Sequence, residues 1–481
     1  MTTKERLGMV LPVCICLMVF VGLSALLARD KERFNLSLPR HPWTRNDIYI
    51  ALSIAAVFYL VGLWRLGEPR RAVFDECYHG RSGMEYILGL NPTEWTHPPL
   101  GKLLIATSLE VWGGNFNPRE GIYKPDMPFT ERSVIGWRFA SLVAGSLALI
   151  VLYILARSML GSTTPAAIAS GMLACDGIFF VQSRIAMTNA FTVLFILVAA
   201  LGAWKYRQTA KQPWMLLLAF GLGCAVSTRW TTLFALGLLG LYLCNFEIRR
   251  LIWRRAKVFD WLWSVLLFAA AFLLIPAAMY VSTYIPYMRQ GHDLNKVWSE
   301  QHAMWDYHTG MKETHGYSSP WWSWPLTIRP TWYAFDVDQL VDARRGIVAI
   351  GNAGIWWASI PAMLVGSILA IREKRVELGL PALLATGLWL MWAVQGRSLV
   401  FQHYMLEGIP FVCILLSALG CLLWQRQEND DTGALRLRRA IVGGYGAMIV
   451  VWFVFWYPLL SAYPVTGKFF DLHLWLGRLW V

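Results

Sequence analysis

Stretches of about 20 mainly apolar residues, the length a helix needs to cross roughly 30 Å of hydrocarbon, recur throughout this chain of 481 residues. They fall at 8–28, 47–66, 136–157, 164–182, 187–205, 213–228, 230–246, 262–285, 352–371, 380–395, 403–424 and 440–460. A water-soluble core cannot hide so many. With 56% hydrophobic and 15% charged residues, the chain also lacks the polar coat of a soluble domain, in which about 25% of residues are charged. Strand-length segments of alternating polarity do not recur, which argues against an outer-membrane barrel. The expected fold class is an all-α polytopic membrane protein.

Lys and Arg number 43 against 30 Asp and Glu, a net charge of +13. The surplus gathers at 29–45, 205–211, 249–257, 372–375 and 426–439, all on one side of the predicted membrane. The positive-inside rule makes that side cytoplasmic. The charge sets topology and meets anionic lipid; it does not signal nucleic acid. The two long loops, 67–135 and 286–351, then face outward. Residues 1–46 read as an extra N-terminal membrane helix with a cytoplasmic linker, with a signal anchor over 1–28 as the alternative. The rest divides into a transmembrane module at 47–285 containing the first loop, the second loop at 286–351, and C-terminal helices with an outward tail at 352–481. Of eight cysteines, only Cys77 lies in an outward loop, and no zinc-type spacing occurs. No Walker sequence is present, so ATP hydrolysis is not expected.

The first outward loop opens on Val73-Phe74-Asp75-Glu76-Cys77-Tyr78-His79. Adjacent carboxylates in a loop are often merely solvated. These lie a few residues past a span, beside aromatic rings, where partial desolvation would make a carboxylate a better proton acceptor. Asp75 and Glu76 are therefore candidate general bases. Farther on, Thr96-His97-Pro98-Pro99-Leu100-Gly101-Lys102 leads into apolar residues at helical spacing, predicting an amphipathic helix on the membrane surface. His97 could equally cap or pack, and Lys102 could snorkel.

Arg138, Arg184 after Gln182-Ser183, and Arg397 with Gln402 and His403 close behind all fall at outward span ends. Each could be an interfacial anchor. Together they could line a basic, membrane-level cavity suited to a substrate with an anionic head and a lipid tail. In the second loop, His315 to Leu326 contains Trp321-Trp322-Ser323-Trp324, whose rings could stack on a sugar or anchor the loop among headgroups.

Five of these motifs, in order, resemble those of the protein O-mannosyltransferase family. They are Phe74-Asp75-Glu76, THPPLGK at 96–102, Gly136-Trp137-Arg138, DGIFFVQSRIA at 176–186, and His315–Leu326 followed by Arg329-Pro330-Thr331-Trp332-Tyr333. The resemblance covers roughly 47–460. It implies the GT-C membrane glycosyltransferase fold, with eleven core transmembrane helices besides the N-terminal one. At about 65 residues, the second loop is too short for the β-trefoil insert of fungal and animal members, so the chain looks like a bacterial, inner-membrane member. Where the family has Leu-Asp, this chain has Met187-Thr188-Asn189.

The resemblance implies inverting transfer of mannose from a polyprenyl-phosphate-mannose lipid to Ser or Thr hydroxyls of proteins, on the outer face of the membrane. Asp75 would take the hydroxyl proton, with Glu76 second or positioning. Arg138, Arg184, Lys102 and Arg397 would stabilise charge on the departing phosphate, supported by His97, Gln182, Trp322, Gln402 and His403. Phosphate leaves readily, so no metal or other cofactor is expected. Expected partners are the lipid donor, a Ser/Thr-containing protein acceptor and membrane lipids, with association with the secretion machinery a further expectation. A GT-C enzyme using another lipid-phosphate sugar, or a lipid or glycan acceptor, would use the same residues. A lipid or solute transporter would instead need charges deep inside the spans.

Overall fold

The computed structural model describes residues 38–112, 131–394, 397–426, 431–475 and 477–480; the helix expected at 8–28 lies outside them. Among the described residues nine helices are long and apolar enough to cross a membrane. They are Arg45–Leu63, Ser133–Leu160, Asn189–Thr209, Trp230–Trp253, Val258–Arg289, Ala353–Arg372, Val376–Ala393, Gln402–Trp424 and Thr432–Leu460. Each coincides with a predicted span. The two remaining predictions differ in form. Residues 213–228 yield a 14-residue helix, Pro213–Val226. The stretch 164–182 breaks into Thr163–Ala174 and Gly177–Gln182. The break falls at Asp176, whose carboxylate accepts the backbone N–H of Phe179 (2.8 Å) and Asn352 (3.1 Å) and the Trp356 indole (2.6 Å). A short acid that bonds backbone groups in this way competes with helix continuation.

The described residues form two compact units, each assembled from separated stretches of chain. One draws on the described residues of 62–151 and 182–312, the other on those of 38–61, 152–181 and 313–480. In the first, the helix Glu76–Ile87 (α1) packs on Leu100–Trp112 (α2). Pro98 and Pro99 precede α2, and Leu100 starts it by donating its N–H to the Ser227 carbonyl at 3.0 Å. Gly101, Lys102, Ile105, Ala106, Ser108 and Leu109 are all buried, a helical stripe turned inward. Gly83 permits the approach, since a Cβ there would lie 3.1 Å from Ile105 and 3.2 Å from the Ala106 nitrogen. Thus α2 buries one stripe against protein and leaves Thr107, Glu110 and Val111 exposed on the other side, the two-faced form that its spacing predicts. The long helix Glu131–Leu160 (α3) adds Val134 and Trp137 to the same core, and Asn189–Thr209 (α4) adds Ala190 and Phe191. Against α4 lies Pro213–Val226, at glycine contacts: a Cβ on Gly202 would stand 2.5 Å from the Leu218 nitrogen, and one on Gly221 2.5 Å from the Ala199 nitrogen. Small residues are what let membrane helices approach this closely. The unit ends with the helix Leu294–Gly310 (α5).

In the other unit the all-α expectation is corrected by a three-stranded antiparallel sheet. Its strands are Thr331–Asp338 (β1), Ala343–Ala349 (β2) and Val465–Thr466 (β3), in that order. Pairing runs from Thr331 opposite Ala349 to Asp338 opposite Ala343. Aromatic and β-branched side chains at Trp332, Tyr333, Phe335, Ile347 and Val348 suit a half-buried pleated surface. The tryptophan run is largely structural: Trp321 and Trp324 meet Trp389 and Trp392 edge-on, and Trp389 donates its indole N–H to the Trp321 carbonyl at 3.0 Å.

Candidate active site

Arg138 enters the first unit from α3 with 1% of its surface exposed, and the loop after residue 63 curls around it. Its Nε donates to Glu76 Oε1 (2.8 Å), and Nη2 to Glu76 Oε2 (2.9 Å) and the Arg71 carbonyl (3.0 Å). Nη1 donates to the carbonyls of Leu66 (2.9 Å) and Glu68 (2.8 Å). A guanidinium has five N–H groups, and all are matched here. Glu76, fully buried, also accepts the backbone N–H of Val73 (2.9 Å) and Ala186 (3.0 Å). The sequence reading gives Arg138 to the donor phosphate; in the structure its donors are spent inside the protein.

Asp75 follows directly on this brace. Phe74 before it adopts a left-handed φ of 48°, a conformation that costs a non-glycine residue about 1–3 kcal/mol and clusters at functional sites. Asp75 is the N-cap residue of α1. Its carbonyl accepts the N–H of Tyr78 (3.0 Å) and His79 (3.1 Å), yet its half-buried side chain makes no capping bond. Burial, then the charges of Asp75 and Glu76, push the Cys77 thiol up to about 12, so it stays protonated.

A second cluster surrounds Glu94. Lys102, 2% exposed, donates to Glu94 Oε2 (2.7 Å) and to the carbonyls of Glu94 (2.5 Å) and His97 (2.7 Å), which uses its three donors. Lys102, expected at the donor phosphate, has its donors spent inside the protein as Arg138 does. His97 Nδ1 lies 2.9 Å from Glu94 Oε1; because a carboxylate only accepts, Nδ1 carries the proton and Nε2 is the acceptor. Burial alone would raise the Glu94 carboxyl, but the Lys102 charge and His97 outweigh it and hold Glu94 well below its ordinary range. Burial lowers His97 against the pull of Glu94, and burial takes His79 down to about 3. The His79, His97 and His308 rings stand edge to face, with centroids 5.5 Å apart at each step. His79 Nδ1 is buried with no hydrogen-bond partner. His308, from α5, bonds the Thr96 carbonyl at 2.7 Å.

Arg184 is 4% exposed and donates to the carbonyls of Gly62 (2.9 Å) and Trp64 (3.0 Å), with Gln182 buried two residues earlier. Arg229, 7% exposed, is close enough for its charge to depress both His79 and His97. Sequence reasoning passed over it, although it sits between two predicted spans as Arg184 does, and the same signal would have found it. The buried Asn189 side chain finds no hydrogen-bond partner for either its oxygen or its nitrogen.

Four expected residues belong to the other unit. Gln402 is buried with both carboxamide atoms unpartnered. His403 Nδ1 lies 3.0 Å from the Tyr333 hydroxyl, its ring stacked on Phe401. Arg397 is half-buried, and Trp322 is 57% exposed. Among the described residues no three His, Cys, Asp or Glu side chains converge as a metal-ligand group.

The family model described as dolichyl-phosphate-mannose-protein mannosyltransferase matches residues 52–289, and that of the C-terminal four TMM region of protein-O-mannosyltransferase matches 293–380. The chain belongs to the protein O-mannosyltransferase family. It is 27% identical to the polyprenol-phosphate-mannose–protein mannosyltransferase of Corynebacterium glutamicum, over 93% of this chain and 97% of the relative. With the protein of that name from Mycobacterium tuberculosis it shares 24% identity, over 88% and 89%. The structure of the S. cerevisiae protein O-mannosyltransferase Pmt1-Pmt2 complex bound to the sugar donor is similar in fold, with a TM-score of 0.78, 14% identity, and 95% and 94% of the two chains covered. This mannosyltransferase is thus a multi-pass membrane glycosyltransferase of GT-C type.

Proposed function

We propose that this enzyme moves mannose, with inversion, from a polyprenyl-phosphate-mannose donor to Ser or Thr hydroxyls of proteins at the outward face of a bacterial inner membrane. The observation that carries this reading is the placement of Asp75: a half-buried carboxylate held at the head of α1 by a left-handed Phe74. Its neighbour Glu76 is saturated by Arg138 and two backbone N–H groups, so base and brace are separate residues. Orientation rests on the five basic stretches, all on the opposite side from the loop that carries Asp75. The reading of eleven core membrane segments is supported by the nine spans taken with Pro213–Val226 and the broken pair Thr163–Gln182.

In the mechanism, Asp75 accepts the hydroxyl proton as the acceptor oxygen bonds to the anomeric carbon. The bond from that carbon to the phosphate oxygen breaks with its electron pair staying on the phosphate. A single displacement from the opposite face inverts the configuration. Arg184 and Arg229 supply the fixed positive charge that steadies the departing phosphate. Arg138 shapes the loop that presents Asp75. Lys102 fixes the Glu94–His97 pair, so that the His97 Nε2 acceptor can receive a sugar hydroxyl. Gln182 and Asn189, in the same unit as Asp75, offer polar support.

The test is incubation of the full chain in lipid nanodiscs with polyprenyl-phosphate-mannose and a Ser/Thr-rich peptide, followed by mass spectrometry. The peptide gains one hexose with the wild-type enzyme and none with Asp75→Asn. Full transfer by a folded Asp75→Asn variant would remove the base assignment; hexose appearing on lipid while the peptide stays unmodified would remove the acceptor assignment.

A further inference from the structure

The helix α5 has three faces. The first turns toward protein: Tyr280 donates its hydroxyl to Gln301 Oε1 at 2.5 Å, and Gln301 Nε2 donates to the Tyr284 hydroxyl at 3.1 Å. Tyr287 donates to Glu300, and Val297 packs with Tyr284 and Tyr287. The second face adjoins the first: Leu294, Trp298 and Trp305, four and seven residues apart on a stripe that has Gln301 at its protein-side edge, are 63%, 68% and 61% exposed. The third, formed by Asn295, Lys296, Ser299 and Asp306, is polar and exposed. A helix with only protein and water around it needs two kinds of face. This one has a further kind, the exposed aromatic face of Trp298 and Trp305.

We infer that Leu294, Trp298 and Trp305 sit in the headgroup layer of the bilayer, making α5 an interfacial helix. The depth of α5 relative to the neighbouring span decides this. Tyr280, Tyr284 and Tyr287 belong to the last turns of the membrane span Val258–Arg289, within about 13 Å of its end at 1.5 Å per residue. Gln301, at the middle of α5, is bonded to two of them, so α5 runs level with the end of the span instead of standing clear above it. Trp298 and Trp305 are three and four residues from Gln301, within about one turn of that depth. Tryptophan and tyrosine are enriched at this level because their rings have an apolar body and a polar tip. The protein-facing side carries His308 to the Thr96 carbonyl beside His97, so seating in lipid braces the wall of the histidine cluster.

The experiment places the fluorescent amino acid Anap at Trp298, Trp305 or Ala303, one at a time, in the full chain. The protein is then reconstituted in phosphatidylcholine–phosphatidylglycerol nanodiscs without acceptor peptide. Lipids brominated near the top of their acyl chains should quench positions 298 and 305 roughly threefold more than 303, and aqueous iodide should do the reverse, as a helix lying in the interface requires. A label at the exposed Leu294 gives the same reading with both tryptophans kept. Iodide quenching at 298 and 305 equal to that at 303 would overturn the inference and leave the face open to an acceptor polypeptide. Protection of 298 and 305 from both quenchers would also overturn it, because protein and not lipid would then cover them.

Discussion

Arg138 and Glu76, 62 residues apart in the chain, meet through two parallel bonds of 2.8 and 2.9 Å with both side chains buried. The same guanidinium gathers three carbonyls from the loop leading to Asp75. Removing one partner of such a buried pair leaves an uncompensated charge, at a cost of about 3–5 kcal/mol. Arg138→Leu and Glu76→Gln are each expected to lower the thermal midpoint in detergent and to abolish transfer. Arg138→Lys should not restore either, since an ammonium offers three donors to five waiting acceptors. A native midpoint in Arg138→Leu would show that the pair is not the brace described here.

Arg229 supplies the next prediction. Loss of a charged hydrogen bond to the departing phosphate, worth roughly 1.5–3 kcal/mol, should lower kcat/KM for the lipid donor by about 10- to 100-fold in Arg229→Gln. Arg229→Lys keeps the charge and should recover much of that loss. Unchanged donor kinetics in Arg229→Gln would take this residue out of the phosphate site.

Acid stability follows from the histidines. An unfolded histidine titrates near 6.5, whereas burial holds His79 to about 3. Between those values the unfolded chain binds a proton that the folded chain refuses. Stability therefore falls as pH drops below 6.5, by up to about 1.4 kcal/mol per unit for such a group. His97, also lowered by burial, adds in the same direction, and Glu94 adds only in more acid solution, below its ordinary range. Thermal midpoints from pH 8 to 4 should be level above neutrality and then decline, with a shallower decline in His79→Gln. An equal slope in that variant would assign the titration elsewhere.

Helix contact at Gly202 can be tested against an internal control. Gly202→Val forces side-chain atoms onto the Leu218 backbone, and such overpacking typically costs about 1–3 kcal/mol. Gly237, where a Cβ meets nothing within 4 Å, should accept Ala without loss. Equal midpoints for the two variants would mean that the helices do not meet at Gly202.

Membrane spans, their sidedness as an expectation, and the chemical character of the first loop were legible from the chain itself. Apolar run length, the Lys and Arg bias and adjacent carboxylates are properties of neighbours in sequence. The sheet at 331–349 was not legible, because its strands are buried on both faces near Thr331 and Ala349 and so lack the alternation that marks a strand. Nor was the break at Asp176, which depends on Asn352 and Trp356 far along the chain. The hydrogen-bond partners of the cations were decided by tertiary structure alone. Arg138 and Arg184 look alike in sequence, each a positive charge at an outward span end, and Lys102 is one more cation of the outward loop between spans. Only folding brings carbonyls and a carboxylate to all five donors of Arg138 and all three of Lys102. A buried cation whose donors are already matched holds the fold and has none left to offer a phosphate, and that matching depends on residues up to 72 positions away.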